Sequence, residues 1–198
     1  MRYGWRGHEL PELAASIPDG GILFVGNSTP VRDLDVAMAP REGLTVLGNR
    51  GASGIDGLVS TALGIGASDR GPTYALLGDL SFVHDVGALV WSARHDPPDL
   101  TLVVVNNGGG QVFSLLDQRD LPEFDELYFT PHHADLGSLA RASGAAHVRI
   151  EVGNDLEGII GDPPAGILVV EVVVDPDHDR RVREQVRAAV AAALTDVA

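Results

Sequence analysis

Two apolar runs near the middle of the chain each end in a polar turn. Residues 73–81 read TYALLGDLS, and residues 100–110 read LTLVVVNNGGG. Continuous aliphatic runs of this kind are typical of strands that are buried on both faces of a parallel sheet. The segment between them is long enough for one crossover helix, which we expect over about residues 83–94. Asp79 and Asn107 are therefore predicted to lie at the same edge of a sheet.

These strand ends carry the oxygen ligands that a hard cation prefers. Asp79 offers a carboxylate and Asn107 an amide oxygen, and ligands bind at the carboxyl edge of open α/β sheets. Gly109 and Gly110 would let the backbone approach a phosphate closely. Gly-Asp and Asn-Gly are also ordinary turn dipeptides. Because the two pairs stand at strand ends one crossover apart, together they favour a magnesium–diphosphate site.

Strand-like and helix-like segments alternate along the whole chain. This alternation predicts one doubly wound α/β domain with about six parallel strands and helices on both faces of the sheet. A glycine-rich helix is expected over 53–67, and a terminal helix from about residue 179 should bury one apolar stripe. That stripe comprises Val182, Val186, Val190 and Leu194. The other strands are expected at residues 22–25, 44–47, 145–150 and 167–174.

A second candidate ligand site follows the first strand, where residues 26–30 read GNSTP. Pro30 suits the first residue of a helix, which Ser28 or its neighbour would cap, and the amides of the first helical turn make an anion site. Capping alone is the other interpretation of this turn. Arg32 and Arg50 follow the first two strands near the ligand edge of the predicted sheet. Each is either a contact for an anion or a solvated side chain.

Composition narrows the functional classes. The chain has 198 residues, enough for one domain, and its formal net charge of −14 argues against nucleic acid and anionic membranes as partners. There is no cysteine, which excludes disulfides and thiolate sites and fits a cytoplasmic protein. All 14 basic residues are arginine, which excludes a lysine Schiff base and a Walker lysine. No apolar run approaches the roughly 20 residues of a membrane helix.

Four blocks of sequence carry a resemblance to a known family. Residues 78–80 with Asn106-Asn107 resemble the Gly-Asp-Gly and Asn-Asn motifs of thiamine diphosphate enzymes, with leucine in place of the last glycine. The 2-succinyl-5-enolpyruvyl-6-hydroxy-3-cyclohexene-1-carboxylate synthase family, of menaquinone biosynthesis, shares that departure. The blocks similar to this family are residues 26–32 (GNSTPVR), 49–57 (NRGASGIDG), 78–81 (GDLS) and 106–116 (NNGGGQVFSLL).

The resemblance implies thiamine diphosphate as the cofactor, with Mg²⁺ or Mn²⁺. The implied metal ligands are Asp79, Asn107 and the carbonyl of Gly109, and the implied catalytic residues are Ile55, which would support the bent cofactor, Arg32 and Arg50. The residues implied in cofactor binding are Asn27, Ser28, Ser53, Ile55, Asp79, Leu80, Ser81, Asn107, Gly109 and Gly110. The residues implied in substrate binding are Arg32, Arg50, Phe113 and Leu116.

The implied reaction decarboxylates 2-oxoglutarate and adds the resulting four-carbon carbanion to isochorismate. Both substrates are anionic, so Arg32 and Arg50 would bind their carboxylates. Enzymes of the family take an activating glutamate from the pyrimidine-binding domain of a partner subunit, and this chain contains nothing like that domain. We therefore expect residues 1–198 to be the C-terminal, diphosphate-binding part of a longer cytoplasmic enzyme, inactive alone and a homo-oligomer (dimer or tetramer) when complete.

Two alternatives remain open at this point. The chain could belong to another thiamine diphosphate decarboxylase or carboligase, although two carboxylate-binding arginines favour the synthase. It could also be a non-catalytic subunit that binds the cofactor.

Overall fold

The computed structural model describes residues 10–68, 70–90, 96–151, 156–162 and 165–195. Six strands form one sheet in which every neighbouring pair is parallel, in the order β2-β1-β3-β4-β6-β5. This confirms the predicted parallel sheet. The strands are β1 (Ile22–Val25), β2 (Thr45–Leu47), β3 (Thr73–Gly78), β4 (Leu100–Asn106), β5 (Ala146–Ile150) and β6 (Ile167–Val173).

The helices cover both faces of this sheet, as a doubly wound fold requires. They are α1 (Leu10–Ser16), α2 (Thr29–Ala37), α3 (Leu58–Gly66), α4 (Asp79–Asp85), α5 (Leu136–Ala142), α6 (Leu156–Gly161) and α7 (Pro176–Thr195). One core cluster contains residues of α1, α2 and α6, and the other contains residues of α3, α4 and α5. Within the described part of the chain, no helix combines the length and apolar character needed to cross a membrane.

The order in which successive strands are added to the sheet reverses between β1 and β3. The chain goes from β1 to β2 on one side, and then returns to place β3 on the other side of β1. Helix α2 follows β1 on one face of the sheet, whereas α4 follows β3 on the opposite face. The connections therefore diverge at the carboxyl ends of β1 and β3, which is the crevice where open α/β sheets bind ligands.

Two helices start at positions that differ from the prediction. The helix expected over residues 53–67 begins only at Leu58, because the glycine-rich segment before it forms a turn in which Gly57 has a φ of +66°. The crossover helix expected over residues 83–94 begins instead at Asp79, immediately after β3. Asp79 Oδ1 accepts the Leu80 N–H at 2.6 Å, which satisfies one free donor of the first turn. The helix continues as a 3₁₀ segment to Leu89, and residues 91–95 lie outside the described ranges.

The prediction of a buried apolar stripe on the terminal helix is wrong. Val186 is 45% exposed and Leu194 is 66% exposed. Charged contacts hold α7 instead: the Arg183 guanidinium makes a two-pronged ion pair with the Asp33 carboxylate of α2, with Nη2 2.9 Å from Oδ2. Arg183 Nε also contacts Asp179 at 2.8 Å. The first turns of α7 are thus anchored while its apolar stripe remains uncovered.

The anchoring of α7 leads to a stability prediction. Replacing Arg183 with alanine leaves Asp33 and Asp179 as partly buried carboxylates without their cation, which should cost about 3 kcal/mol of unfolding free energy. Urea denaturation would measure the loss. The matched control is Arg180→Ala, because Arg180 makes only exposed ion pairs with Asp177 and Glu184 and should cost less than about 1 kcal/mol. Equal losses in the two variants would contradict the anchoring role.

Candidate functional site

Asp79 is the centre of the predicted metal site, and its carboxylate is almost fully buried, with 2% of the residue exposed. Its Oδ2 accepts three successive backbone N–H groups, from Asn107 at 3.1 Å, Gly108 at 2.7 Å and Gly109 at 3.1 Å. Burial raises the pKa of Asp79, and the hydrogen bond from the Leu80 amide is the largest opposing effect. These amides hold the loop of residues 106–110, here called the Asn-Gly loop, against the start of α4.

Asn107 supplies the second predicted metal ligand, and its side-chain oxygen is free. The residue is 7% exposed, and its Oδ1 is buried without a hydrogen-bond partner among the described residues. A buried acceptor left unpaired is costly unless a bound group satisfies it. The Gly109 carbonyl accepts the Gln111 N–H at 2.9 Å and retains a second lone pair.

The residues present therefore fit a Mg²⁺ ion. One carboxylate and neutral oxygens are the ligands from which proteins build magnesium sites, with the rest of the coordination completed by water and phosphate. In keeping with this composition, the described residues contain no group of three or more His, Asp or Glu side chains suited to a metal.

A segment that follows the Asn-Gly loop in sequence packs back onto it. The Phe129 carbonyl accepts the Gly110 N–H at 2.6 Å, and the Gly108 carbonyl accepts the His132 N–H at 3.2 Å. His132 Nε2 lies 3.3 Å from Asp79 Oδ2, at ion-pair distance, and the interaction opposes the effect of burial on the pKa of Asp79. No residue spacing links His132 to the site, since the contact arises from the path of the backbone over residues 125–132.

This packing supplies a structural reason for the glycines of the loop. A Cβ on Gly110 would lie 2.5 Å from the Tyr128 carbonyl oxygen, and a Cβ on Gly109 would overlap the Phe129 carbonyl oxygen. Close approach of the protein's own backbone thus already requires both glycines. Their proposed approach to a phosphate stays a prediction.

The turn after β1 forms the other part of the site. Asn27 is buried; its Nδ2 donates to the Gly54 carbonyl at 2.7 Å, and its Oδ1 accepts from Arg50 Nη1 at 2.8 Å. Arg32 Nη1 donates to the Ser28 carbonyl at 2.7 Å. The structure therefore brings both predicted arginines to the Asn27–Ser28 turn.

Ser28 does not cap helix α2, contrary to one of the predicted roles. Its side chain makes no cap hydrogen bond, and its φ of +73° places the backbone in a region that favours glycine. Such backbone strain is found most often at ligand sites. The observed conformation is consistent with a binding role for this turn.

The remaining predicted residues lie in three other segments: the turn before α3, the first turn of α4, and the 3₁₀ segment that follows the Asn-Gly loop. Ile55 is half-buried and Ser53 exposed in the turn before α3, whereas Leu80 and the buried Ser81 form the first turn of α4. The Leu80 N–H is already used by Asp79. Phe113 and Leu116 are 37% and 47% exposed in and after the 3₁₀ segment Gln111–Leu115. The Phe113 ring packs edge-on to Tyr128, with the ring centroids 5.8 Å apart.

The packing of the Asn-Gly loop can be tested through its glycines. Gly110→Ala should cost about 1–3 kcal/mol of unfolding free energy, because the added methyl group must displace the Tyr128 backbone or the Phe113 ring. Denaturant titration would measure the change. Gly87→Ala is the matched control, since its Cβ would meet nothing within 4 Å. A neutral Gly110→Ala would mean that residues 128–129 do not press on the loop.

Comparison with known proteins places the chain in a family. The family model described as "Thiamine pyrophosphate enzyme, C-terminal TPP binding domain" matches residues 34–172; thiamine pyrophosphate is another name for thiamine diphosphate. The 2-succinyl-5-enolpyruvyl-6-hydroxy-3-cyclohexene-1-carboxylate synthase of Thermobifida fusca (strain YX) is 45% identical over 188 residues, which cover 92% of this chain and 34% of that protein. The synthase of the same name from Haloarcula marismortui is 37% identical over 193 residues, covering 96% of this chain and 32% of that protein.

The chain thus spans about a third of the length of these curated relatives. Among solved structures, a thiamine diphosphate-dependent 4-hydroxybenzoylformate decarboxylase of Rhodococcus jostii RHA1 matches with a TM-score of 0.70 over 87% of this chain and 33% of that one. At 19% identity, this likeness shows the fold alone. Because the family model covers most of the described sheet and its helices, the chain belongs to the family of C-terminal thiamine pyrophosphate-binding domains of thiamine pyrophosphate enzymes.

Proposed function

We propose that this chain supplies the magnesium–diphosphate half of the active site of a 2-succinyl-5-enolpyruvyl-6-hydroxy-3-cyclohexene-1-carboxylate synthase. The observation that carries the proposal is the unpaired, buried Oδ1 of Asn107 beside the buried carboxylate of Asp79. The name shared by the Thermobifida and Haloarcula relatives supports the choice of this synthase.

In the proposed site, Asp79, Asn107 and the Gly109 carbonyl hold Mg²⁺ or Mn²⁺. Asp79 Oδ2 already accepts three loop amides, whereas Oδ1 accepts one, from Leu80, which favours Oδ1 as the oxygen that would meet the ion. The bound cofactor supplies a thiazolium that stabilises a carbanion, and the ion neutralises its diphosphate. Leu80, Ser81 and Gly110 would lie along the diphosphate, and Ser53 and Ile55 would position the cofactor from the turn before α3.

Arg32 and Arg50 are proposed to bind the carboxylates of 2-oxoglutarate and isochorismate. Both are exposed, both reach the Asn27–Ser28 turn, and neither forms an ion pair with a described carboxylate. Both guanidinium groups thus lie at one turn of a chain whose net charge is −14. Guanidinium groups suit carboxylates because they donate two parallel hydrogen bonds. Phe113 and Leu116 offer exposed apolar surface for the carbon chains of the substrates.

The activating glutamate is proposed to come from a pyrimidine-binding domain outside this chain, in a homo-oligomeric protein. Residues 1–198 would then be the C-terminal domain of that protein. The threefold greater length of the relatives supports this arrangement. So does the edge strand β2, where Val46 and Leu47 are 48% and 41% exposed and are available for burial by another domain.

A chimeric enzyme would test the proposed function. In the Thermobifida fusca synthase, this chain would replace the segment of 188 residues to which it is 45% identical. We expect the chimera to convert 2-oxoglutarate and isochorismate in the presence of Mg²⁺ and thiamine diphosphate. Asp79→Asn, which keeps the shape of the side chain but removes its charge, should weaken magnesium-dependent cofactor binding at least tenfold, roughly the contribution of a hydrogen bond to a charged group.

Asp120→Asn is the control for the change of charge, because Asp120 is exposed on the 3₁₀ segment Asp117–Asp120. Normal cofactor affinity in Asp79→Asn would overturn the metal assignment. A chimera that binds the cofactor but forms no product from this substrate pair would favour another carboligase or a non-catalytic subunit.

The arginines separate this synthase from other thiamine diphosphate enzymes. Arg32→Ala and Arg50→Ala should each raise the KM for one of the two substrates by roughly 10- to 150-fold, because each removes a charge-assisted hydrogen bond of about 1.5–3 kcal/mol. Steady-state kinetics of the chimera, with each substrate varied in turn, would measure this, and Arg119→Ala would serve as an exposed control. If both variants instead lose cofactor affinity and keep normal KM values, the arginines bind the diphosphate.

A further inference from the structure

The sheet contains a buried carboxylate that the proposed chemistry does not use. Glu171, in β6, is 2% exposed. Its Oε1 accepts from Asn106 Nδ2 at 2.8 Å and from Arg149 Nη1 at 3.1 Å, and its Oε2 lies 3.0 Å from His147 Nε2. The carboxylate is therefore surrounded by three polar side chains, from β4 and β5, the neighbouring strands on either side of β6.

The hydrogen-bond roles in this cluster follow from the neighbours of each side chain. Arg141 Nη1 lies 3.4 Å from His147 Nδ1, and a guanidinium can only donate. This neighbour favours the tautomer in which Nδ1 accepts and the Nε2–H of His147 donates to Glu171. Arg149 supplies the positive charge that compensates the carboxylate. Each of these three side chains consequently donates a hydrogen bond to Glu171. Of the three, Asn106 belongs to the Asn-Gly loop.

Asn106 connects this buried cluster to the predicted metal ligands. While its Nδ2 donates to Glu171, its Oδ1 accepts the Gly108 N–H at 3.2 Å. The same N–H donates to Asp79 Oδ2 at 2.7 Å. A continuous chain of hydrogen bonds therefore runs from Glu171 through Asn106 and Gly108 to Asp79. It fixes both residues that flank Asn107, whose Oδ1 has no partner among the described residues.

Stability alone does not explain why a carboxylate is buried here. Replacing a buried ion pair with apolar residues of similar volume is often neutral or stabilising. Partners that hold a metal-binding segment in place, in contrast, strongly affect metal affinity. The orientation of the Asn106 amide group is fixed because its Nδ2 faces an acceptor, Glu171, and its Oδ1 faces a donor, the Gly108 N–H.

We propose that Glu171 and Asn106 are positioning residues for the Asn-Gly loop, which they hold so that Asn107 Oδ1 faces the magnesium ion. The claim that Asn107 Oδ1 faces the ion rests on the proposed function. The claim that Glu171 and Asn106 hold the shape of the loop does not. Neither side chain is a proposed ligand of the ion or of the substrates. Without Glu171, the Asn106 amide is free to rotate and Gly108 loses one of its two acceptors.

A swap of the two functional groups tests the proposal. Asn106→Asp sets two carboxylates at hydrogen-bond distance, so that they repel each other and release the loop. Glu171→Gln in the same chain restores a donor–acceptor pair of opposite direction between residues 106 and 171 and returns the net charge to its wild-type value. Arg149 Nη1, which shares Oε1 with Asn106, loses this acceptor, but the Arg149 guanidinium keeps its ion pair with Glu151. Tyr74→Phe is the matched control, because it removes another buried hydrogen bond of the sheet, from Tyr74 Oη to the Ile160 carbonyl.

Two measurements apply to each variant. Hydrogen–deuterium exchange of residues 107–109 in this chain reports the shape of the loop without any cofactor. Calorimetric titration of the chimera with Mg²⁺ and thiamine diphosphate reports the ion. We expect Asn106→Asp to speed exchange of these amides and to weaken magnesium-dependent binding by about 10- to 100-fold, and the double variant to recover most of both. If Asn106→Asp does not fold, Asn106→Ala removes both hydrogen bonds without adding charge.

The outcomes are distinguishable. Loop exchange and magnesium affinity that stay at wild-type values in Asn106→Asp, with only a loss of melting temperature like that of Tyr74→Phe, would overturn the proposal. An equal defect in the single and double variants would also overturn it. If the wild-type chimera binds no cofactor, the proposed function fails, and the exchange of residues 107–109 alone decides the positioning role.

Discussion

Three successive amides converge on one oxygen of Asp79, and the rest of the site depends on this convergence. It joins the ends of β3 and β4 through hydrogen bonds to a charge, which are stronger than bonds between neutral groups. The buried carboxylate is tolerable because those donors replace its lost hydration. The same bonds leave Asn107 Oδ1 unpaired. The fold of the loop thus leaves a buried acceptor beside a buried carboxylate, which supports the proposed cation site.

The crevice between β1 and β3 combines two differently built parts. On the metal side, packed backbone and buried side chains hold the Asn-Gly loop from several directions. On the β1 side, the Asn27–Ser28 turn is strained at Ser28 and is held by side-chain hydrogen bonds to Gly54 and Arg50. In the proposed function, the buried metal side would hold the cofactor, and the exposed arginines of the turn would meet the substrates.

The sequence predicted the strands and their polar ends well, because buried parallel strands are continuous aliphatic runs that polar residues follow directly. It failed where contacts link distant residues. Glu171 lies within the most aliphatic strand, and its link to Asn106 spans 65 residues. The start of α4 was misplaced because the residue that begins the helix is also the predicted metal ligand. The apolar period of α7 was real, but the periodicity alone could not show whether another element covers it.

Helix α7 is anchored at its N-terminal turns, whereas its C-terminal half is largely exposed. Arg183, Asp179 and the contact of Gln111 Nε2 with the Pro176 carbonyl at 2.8 Å hold its first turns, whereas Val190 and Leu194 lie 54% and 66% exposed further along. The free energy of local opening should therefore fall along the helix from its N-terminal to its C-terminal end. Such an element can adjust its far end to an apolar neighbour, or fray, without transmitting the movement to the sheet that carries the site.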